Sequence, residues 1–116
     1  VQYEIPVIIS VINNNGCLAI RHTQASFQEN RYYGTHPNWG LTMPNIENIV
    51  KGFGISYLKI EKVEEIDATI KKLKYVKAPI VCEIITSETQ EVLFKQKYVR
   101  LENGNFQPQN LSEMDP

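Results

Sequence analysis

Cysteine, excess charge and long apolar runs are all scarce in this 116-residue chain. Its 12 basic and 13 acidic residues leave a formal charge of −1, so no positive excess points to nucleic acid. Apolar stretches such as Ile80–Cys82 fall far short of the roughly 20 residues a bilayer-spanning helix needs, so no membrane partner is expected. The two cysteines, Cys17 and Cys82, form no C-x-x-C pair and are not joined by clustered histidines. That spacing argues against a zinc site or a disulfide scaffold and fits a reducing cytoplasm. The first residue is Val1 and no basic-then-apolar leader follows, so the chain reads as a cropped piece of something longer.

What is present is ordinary for a globular domain: 42% apolar and 22% charged residues, enough for one modest core. The charges are unevenly placed. Residues 1–50 hold only Glu4, Arg21, Glu29, Arg31 and Glu47. Charge depletion of this kind marks a segment that meets another surface or a ligand, or else two buried strands.

Pro6–Asn13 is β-branched and nearly all apolar, the pattern of a strand covered on both faces. Asn13-Asn14-Asn15-Gly16 then signals a chain reversal. A short helix is expected over Cys17–Phe27 with Leu18, Ile20 and Phe27 inward, and a long aromatic loop over 28–43. Pro44 suits the first position of a second helix carrying Ile46, Ile49, Val50 and Phe53, closed by Gly52 and Gly54. Ser56–Ile60 reads as a strand. Val63, Ile66, Ile70 and Leu73 mark an amphipathic helix over 63–75, with acidic residues early, lysines late and an Asp67–Lys71 pair. Ile80–Ile85 is a third strand, followed by a short Tyr98–Leu101 segment, a turn at Asn103-Gly104 and a polar tail. Val1–Glu4 reads as a helix end or connector. Strand–helix alternation predicts an α/β fold in three layers, a parallel sheet with helices on both faces.

In such a sheet ligands gather beyond the carboxyl ends of the strands, so Asn13–Gly16 is the place for chemistry. Side-chain amide and loop carbonyl oxygens suit Mg²⁺, and the N–H groups opening the next helix suit phosphate. Residue types alone leave this open against a plain turn. His22 and His36 lack a carboxylate partner at a recognisable spacing, Cys82 sits mid-strand as a small hydrophobe, and Cys17 has no nearby base. Tyr32, Tyr33 and Trp39 either cover a ligand or subunit or pin their own loop. The lysines of 71–77 read as a solvated helix face.

Residues 5–116 resemble the carboxyl-terminal part of thiamine diphosphate-dependent enzymes of the acetolactate synthase-like group. The resemblance runs through Pro6–Ile12, Asn13-Asn14-Asn15-Gly16, Ile20-Arg21-His22-Thr23-Gln24, Phe27 with Arg31-Tyr32, Pro44-Asn45-Ile46, Gly52-Phe53-Gly54-Ile55 and Asn110–Pro116. It implies that the chain is the second half of a thiamine diphosphate-binding domain, residues 1–116, with an extended tail from about 94 to 116. It further implies cofactors thiamine diphosphate and Mg²⁺, with the Asn14 side-chain oxygen and the Gly16 carbonyl as metal ligands. Cys17 and Leu18 would border the cofactor, Cys17 standing where the group more often has Tyr. Ala19 and Ile20 would approach the thiazolium ring and substrate. The Gly-Asp-Gly that opens the family's motif, and the glutamate that activates the cofactor, are not in this sequence, so no catalytic residue is assigned within it. The whole enzyme is expected to make or break a carbon–carbon bond beside the carbonyl of a 2-oxo acid, as a homodimer or homotetramer. The chain alone is expected to be inactive. A non-catalytic α/β interaction module and a degenerate family member are the other classes left open.

Overall fold

The computed structural model describes Tyr3, residues 5–91 and residues 98–110. Most of Val1–Glu4, part of the tail from about 94, and the ending past Asn110 lie outside the described residues.

Three parallel strands form the sheet: β1 (Ile8–Asn13), β2 (Ser56–Ile60) and β3 (Ile80–Ile85), in the order β1-β3-β2. Ile8 and Ser56 both lie level with Ile80, and Val11 and Lys59 with Glu83. The path from β1 to β2 carries α1 (Leu18–Phe27) and α2 (Ile46–Gly52) to the far edge. The path from β2 to β3 carries α3 (Ile66–Leu73) back to the centre. The two crossovers run in opposite directions and join parallel strands, as the strand–helix alternation predicts.

Burial concentrates on the middle strand. Ile80, Val81, Cys82 and Glu83 are all buried, and with Val50 and Ile60 they make the core. Cys82, 1% exposed, behaves as the expected small hydrophobe.

Elsewhere coverage departs from expectation. Ile8, Ile9 and Ile12 of β1 are exposed, not sandwiched, because the described elements leave these side chains uncovered. Val63, Ile66 and Ile70 are likewise exposed, and Thr69 is the buried residue of α3. Ile20, Ile49 and Phe53 also face solvent. The amphipathic patterns are genuine, but the described elements are too few to cover every apolar face.

Local chemistry moves two boundaries. α2 opens at Ile46, not Pro44, because the Asn45 side chain accepts the Asn48 N–H at 2.7 Å and takes the cap, which is worth about 1 kcal/mol. The predicted 63–75 helix starts as a 3₁₀ turn, Val63–Glu65, whose Glu65 carboxylate reaches back to the N–H groups of Glu61 and Lys62. Those donors hold Glu65 below its ordinary pKa. The i,i+4 ion pair forms in α2 between Glu47 and Lys51 at 2.6 Å; no Asp67–Lys71 pair is made. The turn at Asn103-Gly104 closes an antiparallel hairpin, β4 (Tyr98–Arg100) with β5 (Phe106–Pro108), where a polar tail was expected. Phe27 at the end of α1 holds this hairpin edge-on through Tyr98 and Phe106, with centroids 5.1 and 4.6 Å away.

Candidate functional site

The bend 13–16 leaves the carboxyl end of β1 and delivers the chain to α1. Asn13 starts it. Its Oδ1 accepts the Asn15 N–H at 2.9 Å, and its carbonyl accepts the Thr86 N–H at 2.9 Å. Asn15 then sits at φ 53°, a left-handed conformation Asn tolerates better than most residues. The Asn15 side chain donates to the Glu88 carboxylate at 2.6 Å.

Gly16 is required by space. A Cβ there would lie 2.2 Å from the Thr35 carbonyl oxygen and 2.6 Å from an Arg21 nitrogen. The loop 28–43 presses so close that only glycine passes.

The clamp behind the bend is Arg21, which is 5% exposed. Its Nη1 donates to the carbonyls of Thr35 (2.9 Å) and Asn15 (3.4 Å), and its Nη2 to those of Asn14 (3.0 Å) and Glu88 (2.9 Å). One planar fork thereby ties three loops together, a geometry a lysine could not copy. Gln24, one turn further along α1, accepts the Thr35 hydroxyl at 2.6 Å and donates to the Tyr33 carbonyl. Tyr33 and Trp39 stack edge-to-face at 4.8 Å, so the aromatic loop is pinned by its own rings.

Both oxygens singled out in the sequence stand without donors. Asn14 Oδ1 is buried and has no hydrogen-bond partner, and among the described residues no donor reaches the Gly16 carbonyl. Leaving a buried acceptor unpaired costs about 1–3 kcal/mol, and a native fold keeps such an atom for a reason. A hard cation is one, because it takes neutral oxygens as ligands.

Next to these oxygens, α1 begins with no side-chain cap and no acidic residue in its first turn. The Cys17 N–H is spent on Thr35 O at 3.2 Å, which leaves the N–H groups of the first turn, at Leu18, Ala19 and Ile20, for an anion. Ala19 and Ile20 are exposed there, as is Cys17, while Leu18 is half-buried. The donor set and the open helix start fit a metal-bound diphosphate.

On the far side of Arg21 a cavity of about 430 Å³ is lined by Leu18, His22, Tyr32, His36, Trp39 and Glu88 among others. Glu88 lies 3.4 Å from His36 Nε2, and its carboxyl is held below its ordinary pKa chiefly by the Asn15 amide, then by His36 and Arg21. His36 thus has a carboxylate partner too remote in sequence to anticipate. His22 faces the Gln90 carbonyl at 3.0 Å. Neither histidine approaches the Asn14 oxygen through any described contact.

Sequence reasoning passed over Arg21 and Glu88 as site-building residues. A signal existed for Arg21, one of only two basic residues in the first fifty.

Comparison with known proteins identifies the family. Residues 1–84 match the family model for the thiamine pyrophosphate enzyme C-terminal TPP binding domain. The chain is 30% identical over 91 residues to the mitochondrial acetolactate synthase of Schizosaccharomyces pombe, covering 78% of this chain and 13% of that protein. It is 30% identical over 93 residues to the mitochondrial acetolactate synthase catalytic subunit of Saccharomyces cerevisiae, covering 80% of this chain and 13% of that one. For acetolactate synthase 1, chloroplastic, of Zea mays, the identity is 29% over 94 residues, 78% of this chain and 15% of the relative. The chain therefore spans a small part of the length of the curated relatives it matches.

Proposed function

Since the chain belongs to the thiamine pyrophosphate enzymes through their C-terminal TPP-binding domain, we propose that it is the metal- and diphosphate-holding part of an acetolactate synthase-like enzyme. In this reading Asn14 Oδ1 and the Gly16 carbonyl bind Mg²⁺, and the opening N–H groups of α1 face the diphosphate. Cys17 and Leu18 border the cofactor, and Ala19 and Ile20 lie toward the substrate. The observation that carries the reading is the buried, unpartnered Asn14 oxygen.

Bound thiamine diphosphate supplies a carbon nucleophile and an electron sink, which suits making or breaking a bond beside the carbonyl of a 2-oxo acid. The chain's own residues do the holding. Arg21 fixes the carbonyls of Asn14 and Asn15, so the two free oxygens are presented by a rigid bend. Among the described residues no three His, Cys, Asp or Glu side chains gather into a metal cluster, and in this reading the acidic ligand is the aspartate of the family's Gly-Asp-Gly, which this sequence does not contain. Two neutral oxygens alone compete poorly with water for Mg²⁺, so this chain by itself is proposed to be inactive.

The exposed isoleucines of β1 support packing against further parts of the enzyme and assembly as a homodimer or homotetramer. Two free cysteines fit the proposed cytoplasmic setting, and no described helix is long and apolar enough to cross a membrane. The test is Asn14→Ala in the full-length enzyme, followed by Mg²⁺-dependent retention of thiamine diphosphate on gel filtration. Retention should be lost; unchanged retention removes Asn14 from the site.

A further inference from the structure

Glu83 lies inside the central strand, in a run that otherwise reads Ile-Val-Cys and Ile-Ile. The side chain is 5% exposed, and among the described residues no cation pairs with it. Lys59, level with it on β2, makes its ion pair with Glu61 at 2.5 Å and acts on Glu83 only through space. A buried carboxylate without a counter-ion is expensive unless donors satisfy it. Two do, one from each flanking strand. Asn13 Nδ2 donates to Oε1 at 2.5 Å, and the Tyr57 hydroxyl donates to Oε2. Asn13, Tyr57 and Glu83 share one face of the sheet, since each is an even number of residues from the level Val11–Glu83–Lys59.

A carboxylate only accepts, so the Asn13 amide must turn its NH₂ group toward Glu83 and its oxygen away. That oxygen receives the Asn15 N–H at 2.9 Å. Glu83 thereby decides which way the Asn13 amide points, and the Asn13 amide decides the turn that carries Asn14 and Gly16. Tyr57 occupies the second carboxylate oxygen and keeps the group from rotating.

We infer that Glu83 is a positioning residue for the metal-holding bend, acting through Asn13 from the middle of the sheet. The inference rests on the reading that Asn14 and Gly16 hold the cation. It assigns a role to a buried charge that touches neither metal nor cofactor.

The experiment uses the full-length enzyme freed of cofactor and measures two quantities: the Mg²⁺ concentration for half-maximal retention of thiamine diphosphate, and the thermal midpoint without ligands. Glu83→Leu and Asn13→Ala should each raise the Mg²⁺ requirement about tenfold. Glu83→Gln, which can still accept from Asn13 and donate to the Tyr57 oxygen, should stay within about twofold of wild type. The double variant Glu83→Leu with Asn13→Ala should be no worse than either single change, because both cut one path. If Glu83→Leu does not fold, Glu83→Asp, whose shorter arm withdraws from Asn13, should show the same rise. A lowered midpoint with an unmoved Mg²⁺ requirement, or multiplying effects in the double variant, overturns the inference. Asn14→Ala separates the two levels: if it leaves the requirement at the wild-type value, the metal reading itself fails. If it raises the requirement while the Glu83 variants do not, the positioning role alone fails.

Discussion

Arg21 Nη2 stands 3.0 Å from the Asn14 carbonyl and 2.9 Å from the Glu88 carbonyl, so one buried side chain joins the bend after β1 to the loop after β3. Main-chain carbonyls take up the guanidinium donors, and Arg21 makes no hydrogen bond to the Asn14 side-chain oxygen.

Replacing Arg21 with Lys should therefore be costly despite the retained charge. A single ammonium cannot reach the Asn14, Thr35 and Glu88 carbonyls at once. We expect a loss of about 2–3 kcal/mol in chemical denaturation and weaker cofactor retention. Equal stability of the Lys variant would show that the fork geometry does not matter.

Gly16→Ala should be harmful as well. The added methyl meets the Thr35 carbonyl oxygen at 2.2 Å, and a backbone atom cannot swing aside as a flexible side chain can. Overpacking of this kind costs about 1–3 kcal/mol, and loop 28–43 should become more open to proteolysis. A crystal structure of the variant with an undisturbed loop would refute the steric account.

The clasp between Asn15, Glu88 and His36 sets a pH dependence. Glu88 is held below its ordinary value of 4.5, so its contribution is complete above 4.5 and fades as pH falls through the lower folded value. Wild type and Glu88→Gln should differ in stability at neutral pH and converge in acid. A gap that stays constant across the titration would contradict this.

Thiol chemistry should distinguish the two cysteines. Cys17 is exposed, whereas burial both hides Cys82 and pushes its thiol pKa up. Brief alkylation followed by peptide mapping should find Cys17 modified and Cys82 intact until denaturant is added. Early modification of Cys82 would mean that the sheet opens readily.

β1 and β3 were legible because each is a short run rich in isoleucine and valine bounded by Asn, Gly or Pro, β2 because an apolar and aromatic stretch follows Gly54, and β2 and β3 fall where the pattern puts them. The Asn13–Gly16 bend was legible for the same reason. Coverage was not, since an apolar run at Ile8–Asn13 and a periodic stripe over Val63–Leu73 say what can be buried but not what will lie on it. The polar machinery around the bend was hidden by distance. Glu83 meets Asn13 across 70 residues, and Arg21 meets Glu88 across 67. No local spacing encodes such pairs. A lone acid inside Ile-Val-Cys-Glu-Ile-Ile and a lone arginine in a charge-poor stretch are nonetheless the kind of local inconsistency that marks a constrained position.

The outer margin of β1 has a practical cost. Its isoleucines are uncovered, and among the described residues its free backbone edge meets no other strand. Produced on its own, this polypeptide would offer a ready template for cross-β stacking of like chains. Recombinant work on it would then call for a lysine placed on that edge to keep it in solution.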